Sequence, residues 1–324
     1  MNAVFIVSDV TQAGPSIVTF VLNDACVYVA GHRGLVGSAI WRRLQARPTT
    51  NLIGWSSGEL DLRDRDATFD ALLAAKPGVV VMAAARVGGI LANSTHPVAF
   101  LNDNLRIQTN LFEAAHAANV ERLVFLGSSC IYPKLAPQPI PEAALLTGPL
   151  EPSNQAYALA KIAGIEAVRS YRKQYGRRWI SAMPTNLYGP GDNFDLQSSH
   201  VLPAMIRKFH EAHDSVTLWG TGNPRREFLH SDDAASAILY LLEHYDGDEH
   251  VNVGTGHDVS IQELAGIVAE VVGFRGPIAW DTTKPDGTPR KLLDVSRLRD
   301  LGWEPQIGLR EGIASTYRWF LSNR

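Results

Sequence analysis

The sequence predicts an α/β protein: a doubly wound parallel sheet, with a smaller mixed α/β lobe toward the C-terminus. Three observations carry that prediction. Short apolar runs alternate with longer stretches of helical period, a glycine-punctuated turn joins the first run to the first helix, and the alternation breaks up after about residue 184. Apolar runs without polar alternation belong to strands buried on both faces, as in a parallel sheet covered by helices.

The first run is Cys26-Val27-Tyr28-Val29-Ala30. It leads directly into Gly31-His32-Arg33-Gly34-Leu35-Val36-Gly37 and then SAIWRRLQAR, where Leu35, Val36, Ile40, Trp41 and Leu44 recur with a helical period. Further runs follow at 52–55, 79–82, 123–126 and 180–183, with helical stretches around 66–75, 99–118 and 155–174. The Arg63-Asp64-Arg65-Asp66 alternation reads as the solvated start of a helix. Beyond residue 184, LYGPGDNF, GTGNPRREF and KPDGTPRK interrupt shorter elements, and Ser260 with Glu263 spells a capping box before LAGIVAEVV. The expected division is an N-terminal extension over 1–24, a dinucleotide-binding domain over 25–183 completed by about 215–255, and a substrate lobe over 184–214 and 256–324.

Composition narrows the function classes. With 45% apolar residues, 19% charged and a net charge of −3, the chain has neither a nucleic-acid footprint nor a polybasic membrane surface. Its two cysteines lie far apart, giving no disulfide framework or metal cluster, and fit a reducing cytoplasm. The first residues are apolar, but no Lys or Arg precedes Arg33, and Asp9, Gln12 and Pro15 break the run. That is too interrupted for a signal or a membrane span, so a loosely ordered extension is expected.

A GxxGxxG that follows a strand and opens a helix is the fingerprint of a Rossmann dinucleotide site. The first glycine makes the tight turn, the second admits the pyrophosphate at the positive helix end, and the third permits close packing. No carboxylate stands at the end of the second run, Gly54-Trp55-Ser56-Ser57, to hold a ribose 2′-hydroxyl. Arg33 in the first turn is placed to meet a 2′-phosphate, so NADPH is favoured over NADH. Tyr157 and Lys161, four apart in NQAYALAKIAGIEAV, share one helix face. A neighbouring ammonium lowers a phenol's pKa toward the range useful in proton transfer. Ser128, Ser129 and Cys130 follow the fourth run, at the carboxyl edge of the expected sheet. From composition alone Cys130 reads as a small buried hydrophobe; its neighbours are what make it chemically suggestive.

With these motifs in view, the chain resembles the extended short-chain dehydrogenase/reductase family over about residues 25–321. The resemblance rests on AGHRGLVGSAI, AARVGGILAN, LGSSCIYPKLAPQPIPE, LEPSNQAYALAKIAGI, MPTNLYGPGDNF, SHVLPA, RREFLH and KPDGTPRKLLDVS. Several of these are specific to members that rework GDP-linked sugars. The resemblance implies GDP-4-keto-6-deoxy-D-mannose as substrate, epimerised at C3 and C5 and then reduced at C4 by NADPH to GDP-L-fucose. It implies Cys130 as the epimerising base and His200 as its acid. Tyr157 would protonate the C4 oxygen, Ser128 hydrogen-bond it, and Lys161 bind the nicotinamide ribose and tune Tyr157.

The same resemblance implies a cofactor surround of Gly31 to Gly37, Ser57, Leu126, Gly127, Ser128, Ser129, Tyr157, Lys161, Pro184, Thr185, Asn186, Leu187 and His200. For the GDP-sugar it implies Asn186, Lys208, Trp219, Arg226, Asp286 and Lys291, with no metal. A homodimer through the 99–118 and 155–174 helices is also implied. Two positions depart from the family pattern: Lys208, where some relatives carry arginine, and Ser57, where some carry an arginine near the adenosine phosphate. Cys26 is expected in the core, His230 in a structural role, and Asp232 and Asp233 at a helix N-terminus.

Two other readings stay open on the sequence. A nucleotide-sugar epimerase or 4,6-dehydratase would recycle its cofactor, but a dehydratase usually carries an Asp-Glu pair where Ser129-Cys130 stands. A non-catalytic NADP(H)-binding protein would be expected to lose the Tyr157/Lys161 pair, which is retained.

Overall fold

Alternation along each central strand decides which face each residue covers. In the computed structural model, which describes residues 20–47, 51–196, 198–284 and 286–323, the glycine turn sits between β1 (Cys26–Ala30) and α1 (Leu35–Gln45). Next come β2 (Asn51–Ile53), α2 (Arg65–Ala75), β3 (Val79–Met82), α3 (Ile90–Thr95), α4 (Pro97–Ala117) and β4 (Arg122–Leu126). The chain continues through α5 (Gln155–Tyr175), β5 (Arg178–Pro184), β6 (Asn186–Tyr188), α6 (Val201–Glu211), β7 (Val216–Trp219), β8 (Arg225–His230), α7 (Ser231–His244) and β9 (Val251–Val253). It closes with β10 (Asp258–Ser260), α8 (Ile261–Val272), β11 (Ile278–Asp281), β12 (Arg290–Lys291), α9 (Ser296–Asp300) and α10 (Leu309–Ser322).

Six strands form one parallel sheet in the order β2-β1-β3-β4-β5-β9. Val27, Val29, Val79, Val81, Val124, Leu126 and Ile180 face α1 and α7 in one core cluster. Their chain neighbours Tyr28, Val80, Met82, Leu123, Phe125 and Trp179 face the other side, with residues of α4 and α5. This period of two, with both phases apolar, is why the strands read as unbroken hydrophobic runs.

The smaller unit gathers around β8. Its first residues pair antiparallel with β10 and parallel with β12, and its last residues pair parallel with β6. α6, α8 and α10 cover it through Leu202, Ile206, Leu264, Val268 and Ile313. The capping box forms as written in the sequence: Glu263 N donates to Ser260 Oγ at 3.0 Å, and Ser260 N donates to Glu263 Oε2 at 2.7 Å. Asp64 likewise caps α2, and Arg63 and Arg65 are exposed beside it.

Three expectations change. β7 pairs with β11 rather than joining the large sheet, so completion of that sheet begins with α7, not near residue 215. A four-residue strand alternating buried and exposed suits a two-stranded ribbon, which wets one face. Residues 1–19 of the expected extension lie outside the described residues, but Phe20 and Leu22 are packed against the body of the protein. Leu22 is fully buried, and Phe20 N donates to Glu243 O at 2.8 Å. Cys26, expected in the core, is only half-buried at the start of β1, 3.9 Å from Asn51 Nδ2 on the edge strand.

Candidate active site

Strand order reverses around β1, with β2 on one side and β3 on the other. The crevice at the carboxyl ends of such strands is where open α/β sheets bind ligands. Gly31 takes φ +81°, and a Cβ there would lie 2.7 Å from Ala84 N. A Cβ on Gly37 would lie 2.0 Å from Gly31 O. Two positions of the turn are therefore closed to every other residue. Gly34 caps α1 without a side chain, leaving the first-turn N–H groups near Leu35 and Val36 facing outward. These features fit a pyrophosphate held by backbone at the positive helix end.

His32 packs beside Trp41 with ring centroids 5.0 Å apart, and its Nδ1 is buried without a partner. Arg33 and Ser57 are exposed. The end of β2 does carry a nearby carboxylate, contrary to the reading of GWSS: Glu59 Oε2 accepts from Ser56 N at 2.7 Å and Ser56 Oγ at 2.6 Å. Those bonds hold the Glu59 carboxyl below the usual range. Ser56-x-x-Glu59 is a capping-box spacing, the signal that would have revealed it.

Beyond β4, Gly127 lies so close to Met183 that a Cβ would come 2.2 Å from its sulfur. A single 3₁₀ turn, Ser129–Ile131, then places Cys130. Cys130 N donates to Ser128 Oγ at 3.4 Å, and the Ser128 side chain lies close enough to the Cys130 thiol and the Tyr157 phenol to favour the charged form of each. Serine, thiol and phenol thus share one spot, as the sequence anticipated. Lys161 arrives from the same face of α5 as Tyr157. Its Nζ donates to Leu126 O at 2.8 Å and lies 4.9 Å over the Phe125 ring and 5.7 Å over that of Tyr157.

The electrostatics depart from expectation at Tyr157. Burial, and then the Cys130 charge, push its pKa up, and the Ser128 bond offsets only part of this. Lys161 does not reverse that shift: its ammonium is engaged by the Leu126 carbonyl, and burial lowers its own pKa to about 8. A phenol kept protonated is still the form able to give a proton to an oxygen. Burial likewise raises the Cys130 thiol, opposed by Lys291, Ser128 and Lys161 in that order.

His200 is the cap residue of α6 and is exposed. Protein packed around it lowers its pKa, so its protonated form gives up a proton readily. The loop after β3 is tied to the segment before His200, with Gly89 N donating to Ser198 O at 3.2 Å. On the other side of the crevice, Pro184 and Thr185 are buried and Leu187 partly so, with Thr185 N donating to Val253 O at 2.9 Å. Asn186 Nδ2 donates to Glu227 O at 2.8 Å.

The lobe presents a different surface. Trp219 is 63% exposed at the end of β7, so core packing does not explain it. Lys208 Nζ and Lys284 Nζ each lie 5.7 Å from its ring centroid; Lys284 had not been singled out in the sequence. Arg226 lies on β8, with burial lowering its pKa and Asp286 opposing. Asp286 is occupied locally, accepting from Thr221 N at 2.9 Å and Thr221 Oγ1 at 2.7 Å. Lys291, expected with the pyrophosphate cations, is the register partner of Arg226 yet lines a small cavity together with Cys130.

Residues read as structural behave so. His230 Nδ1 accepts from Asp232 N at 3.2 Å as the cap of α7, and Asp232 and Asp233 sit in its first turn. Two acids escaped the sequence reading. Glu227 accepts from Thr255 N, Gly256 N and Leu293 N, and Asp192, half-buried with Oδ2 enclosed and unpaired, has its pKa raised by desolvation to about 7. Among the described residues, no group of His, Cys, Asp or Glu is arranged to hold a metal ion.

A backbone cradle for a dinucleotide, opposed by a proton-transfer cluster and an outlying cationic lobe, defines an NAD(P)-dependent enzyme acting on a sugar nucleotide. The NAD dependent epimerase/dehydratase family matches residues 27–254, and the chain belongs to that family. More narrowly, it is similar to GDP-L-fucose synthases. It is 57% identical over 306 residues to GDP-L-fucose synthase 1 of Arabidopsis thaliana, covering 93% of this chain and 94% of the relative. It is 52% identical over 311 residues to GDP-L-fucose synthase of Escherichia coli (strain K12), covering 92% and 97%. Among solved structures, the GDP-L-fucose synthetase of Naegleria fowleri bound to NADP superposes with a TM-score of 0.87 at 29% identity, covering 95% and 97%.

Proposed function

We propose that this protein is an NADPH-dependent epimerase–reductase that converts GDP-4-keto-6-deoxy-D-mannose to GDP-L-fucose. The observation that carries the reading is the meeting of Ser128, Cys130 and Tyr157 beyond β4, with Cys130 N on Ser128 Oγ at 3.4 Å, which joins an epimerising thiol to a reducing phenol in one cluster. The identity to GDP-L-fucose synthases over most of the chain supports the choice of sugar.

The C4 ketone acidifies the C–H bonds at C3 and C5. Cys130, as thiolate, takes a proton from one of these carbons, and the electron pair moves into the C4 carbonyl as an enolate. His200 returns a proton from the opposite face, which inverts the centre. The same pair then acts on the other carbon. NADPH supplies the hydride for C4, and Tyr157 gives the proton that the C4 oxygen needs while Ser128 hydrogen-bonds that oxygen. Lys161, anchored to Leu126 O, is placed for the nicotinamide ribose. Arg33 and Ser57 lie toward the adenosine phosphate, and Lys208, Trp219 and Arg226 toward the GDP. Asn186, Asp286 and Lys291 complete the substrate surround that family likeness suggests.

We also infer a homodimer in the cytoplasm. α4 and α5 pack side by side, and Val98 and Leu159 on them are exposed apolar residues suited to a shared helical interface. No helix among the described residues is long and apolar enough to cross a membrane. Light scattering at micromolar concentration should give twice the chain mass.

The test of the reaction is to supply GDP-4-keto-6-deoxy-D-mannose with NADPH or NADH and identify the sugar. GDP-L-fucose, formed faster with NADPH, is expected. Epimerised sugar without NADPH oxidation would leave an epimerase only. Cys130→Ala should still bind NADPH yet make little product, a loss of about 10²–10⁴ in rate.

A further inference from the structure

A buried thiol is a poor base, because burial favours the form that carries no charge. Yet the reaction needs the thiolate twice per turnover. After the first inversion Cys130 holds a proton taken from carbon, and it must release that proton before acting on the second centre. That proton passes to water or to His200, which has just given one up, and a positive charge beside the sulfur would favour its departure each time without itself reacting.

The structure supplies such a charge where the sequence placed a phosphate ligand. Cys130 and Lys291 line one small cavity, with Lys134 and Glu151 also in its walls. Glu151 is paired with Lys134 at 3.0 Å, which leaves its carboxylate largely spoken for. The groups facing Cys130 are Lys291 from β12, Lys161 and Tyr157 from α5, and Ser128 from its own turn. Those facing Lys291 are Cys130, Arg226 and Glu151; burial lowers the Lys291 pKa, and the charge of a Cys130 thiolate opposes that, so thiolate and ammonium sustain each other. Of the two lysines, Lys161 is bound to the Leu126 carbonyl, whereas no hydrogen bond or ion pair of the Lys291 ammonium occurs among the described residues. Position is enforced from both sides of β12. Arg290 and Lys291 pair with Arg225 and Arg226 of β8, and the next residue, Leu292, donates its N–H to Gln138 Oε1 at 2.9 Å. The segment that bears the lysine is thereby clasped to the loop that follows the cysteine.

We propose that Lys291 is a positioning residue for proton transfer, its ammonium holding Cys130 as thiolate for both epimerisations rather than binding the pyrophosphate. The role assigned here rests on the reading in which Cys130 is the epimerising base.

The test follows iodoacetamide alkylation of the full-length enzyme across pH, read by peptide mass spectrometry in Lys291→Met and Lys291→Arg. Cys26, in the same chain but remote from β12, serves as internal reference. Lys291→Met should move the Cys130 midpoint up by about one pH unit, an alkylation rate at neutral pH ~10-fold lower. The Cys26 curve should stay in place, and Lys291→Arg should restore most of the rate. Solvent deuterium exchange at C3 and C5 should fall by a similar factor with KM for the GDP-sugar little changed. An unmoved Cys130 midpoint overturns the proposal, and if KM rises instead, Lys291 belongs to the phosphates. Should the methionine chain not fold, Lys291→Gln gives the same comparison. Alkylation requires no turnover, so a moved midpoint with no activity on the GDP-sugar would sink the assigned reaction and leave the electrostatic inference standing.

Discussion

The two ends of the crevice are built by opposite means. At the cofactor end, the turn from Gly31 to Gly37 works through backbone: glycines that leave no room for a Cβ and a bare helix N-terminus. At the end proposed for the sugar nucleotide, Lys208, Trp219 and Arg226 would work through long side chains, on α6, β7 and β8. A backbone cradle is all or none, since changing its shape changes the fold. A cradle of side chains can be weakened one member at a time and still stand.

The sharpest break of that contrast would come from Gly37→Val. Its Cβ would strike Gly31 O, so we expect NADPH binding to be abolished and stability to fall by about 1–3 kcal/mol or more. Fluorescence titration with NADPH and denaturant unfolding give the two readouts, and ordinary binding would refute the all-or-none claim. At the seam, Tyr157→Phe should cut reduction by about 10²–10⁴ while C3 and C5 exchange with solvent continues. If exchange vanished too, separate epimerase and reductase groups would be the wrong picture. Arg226→Ala should raise KM for the GDP-sugar by about 10–100-fold, the value of a charge-assisted hydrogen bond, with NADPH affinity unchanged. Trp219→Ala should do so by about tenfold, through lost stacking on the base. If either lobe variant also lost NADPH binding, the two ends would not be independent.

The same contrast explains what the sequence could disclose. The glycine turn and the Tyr157/Lys161 face were legible because each is a fixed spacing within a regular element. Ser128 and Cys130 were legible because they directly follow a buried strand. The ribbon strand β7 fell within the span expected to complete the large domain because VTLW has no feature that distinguishes a strand of the large sheet from one of a two-stranded ribbon. Glu59 was missed because it reaches the end of β2 through a turn rather than along the strand. That Lys291 shares a cavity with Cys130 was not legible, because a two-residue strand carries no period from which to read its surroundings. That burial pushes the Tyr157 pKa up is not legible in the sequence, because desolvation is not written in any local spacing.

The clasp between residues 138–140 and 292–294 bears on time as well as place. Leu292 N reaches Gln138, Ile140 N reaches Leu292 O, and Asp294 N reaches Ile140 O, joining segments 154 positions apart in the first of these bonds. Contacts between such distant segments carry a large closure entropy and form late, whereas strand–helix–strand units form from near neighbours. A chain that emerges N-terminus first can therefore assemble its glycine turn long before β12 exists. Refolding enzyme should regain NADPH binding ahead of turnover, and the interval between the two marks the arrival of the lobe that completes the surroundings of Cys130.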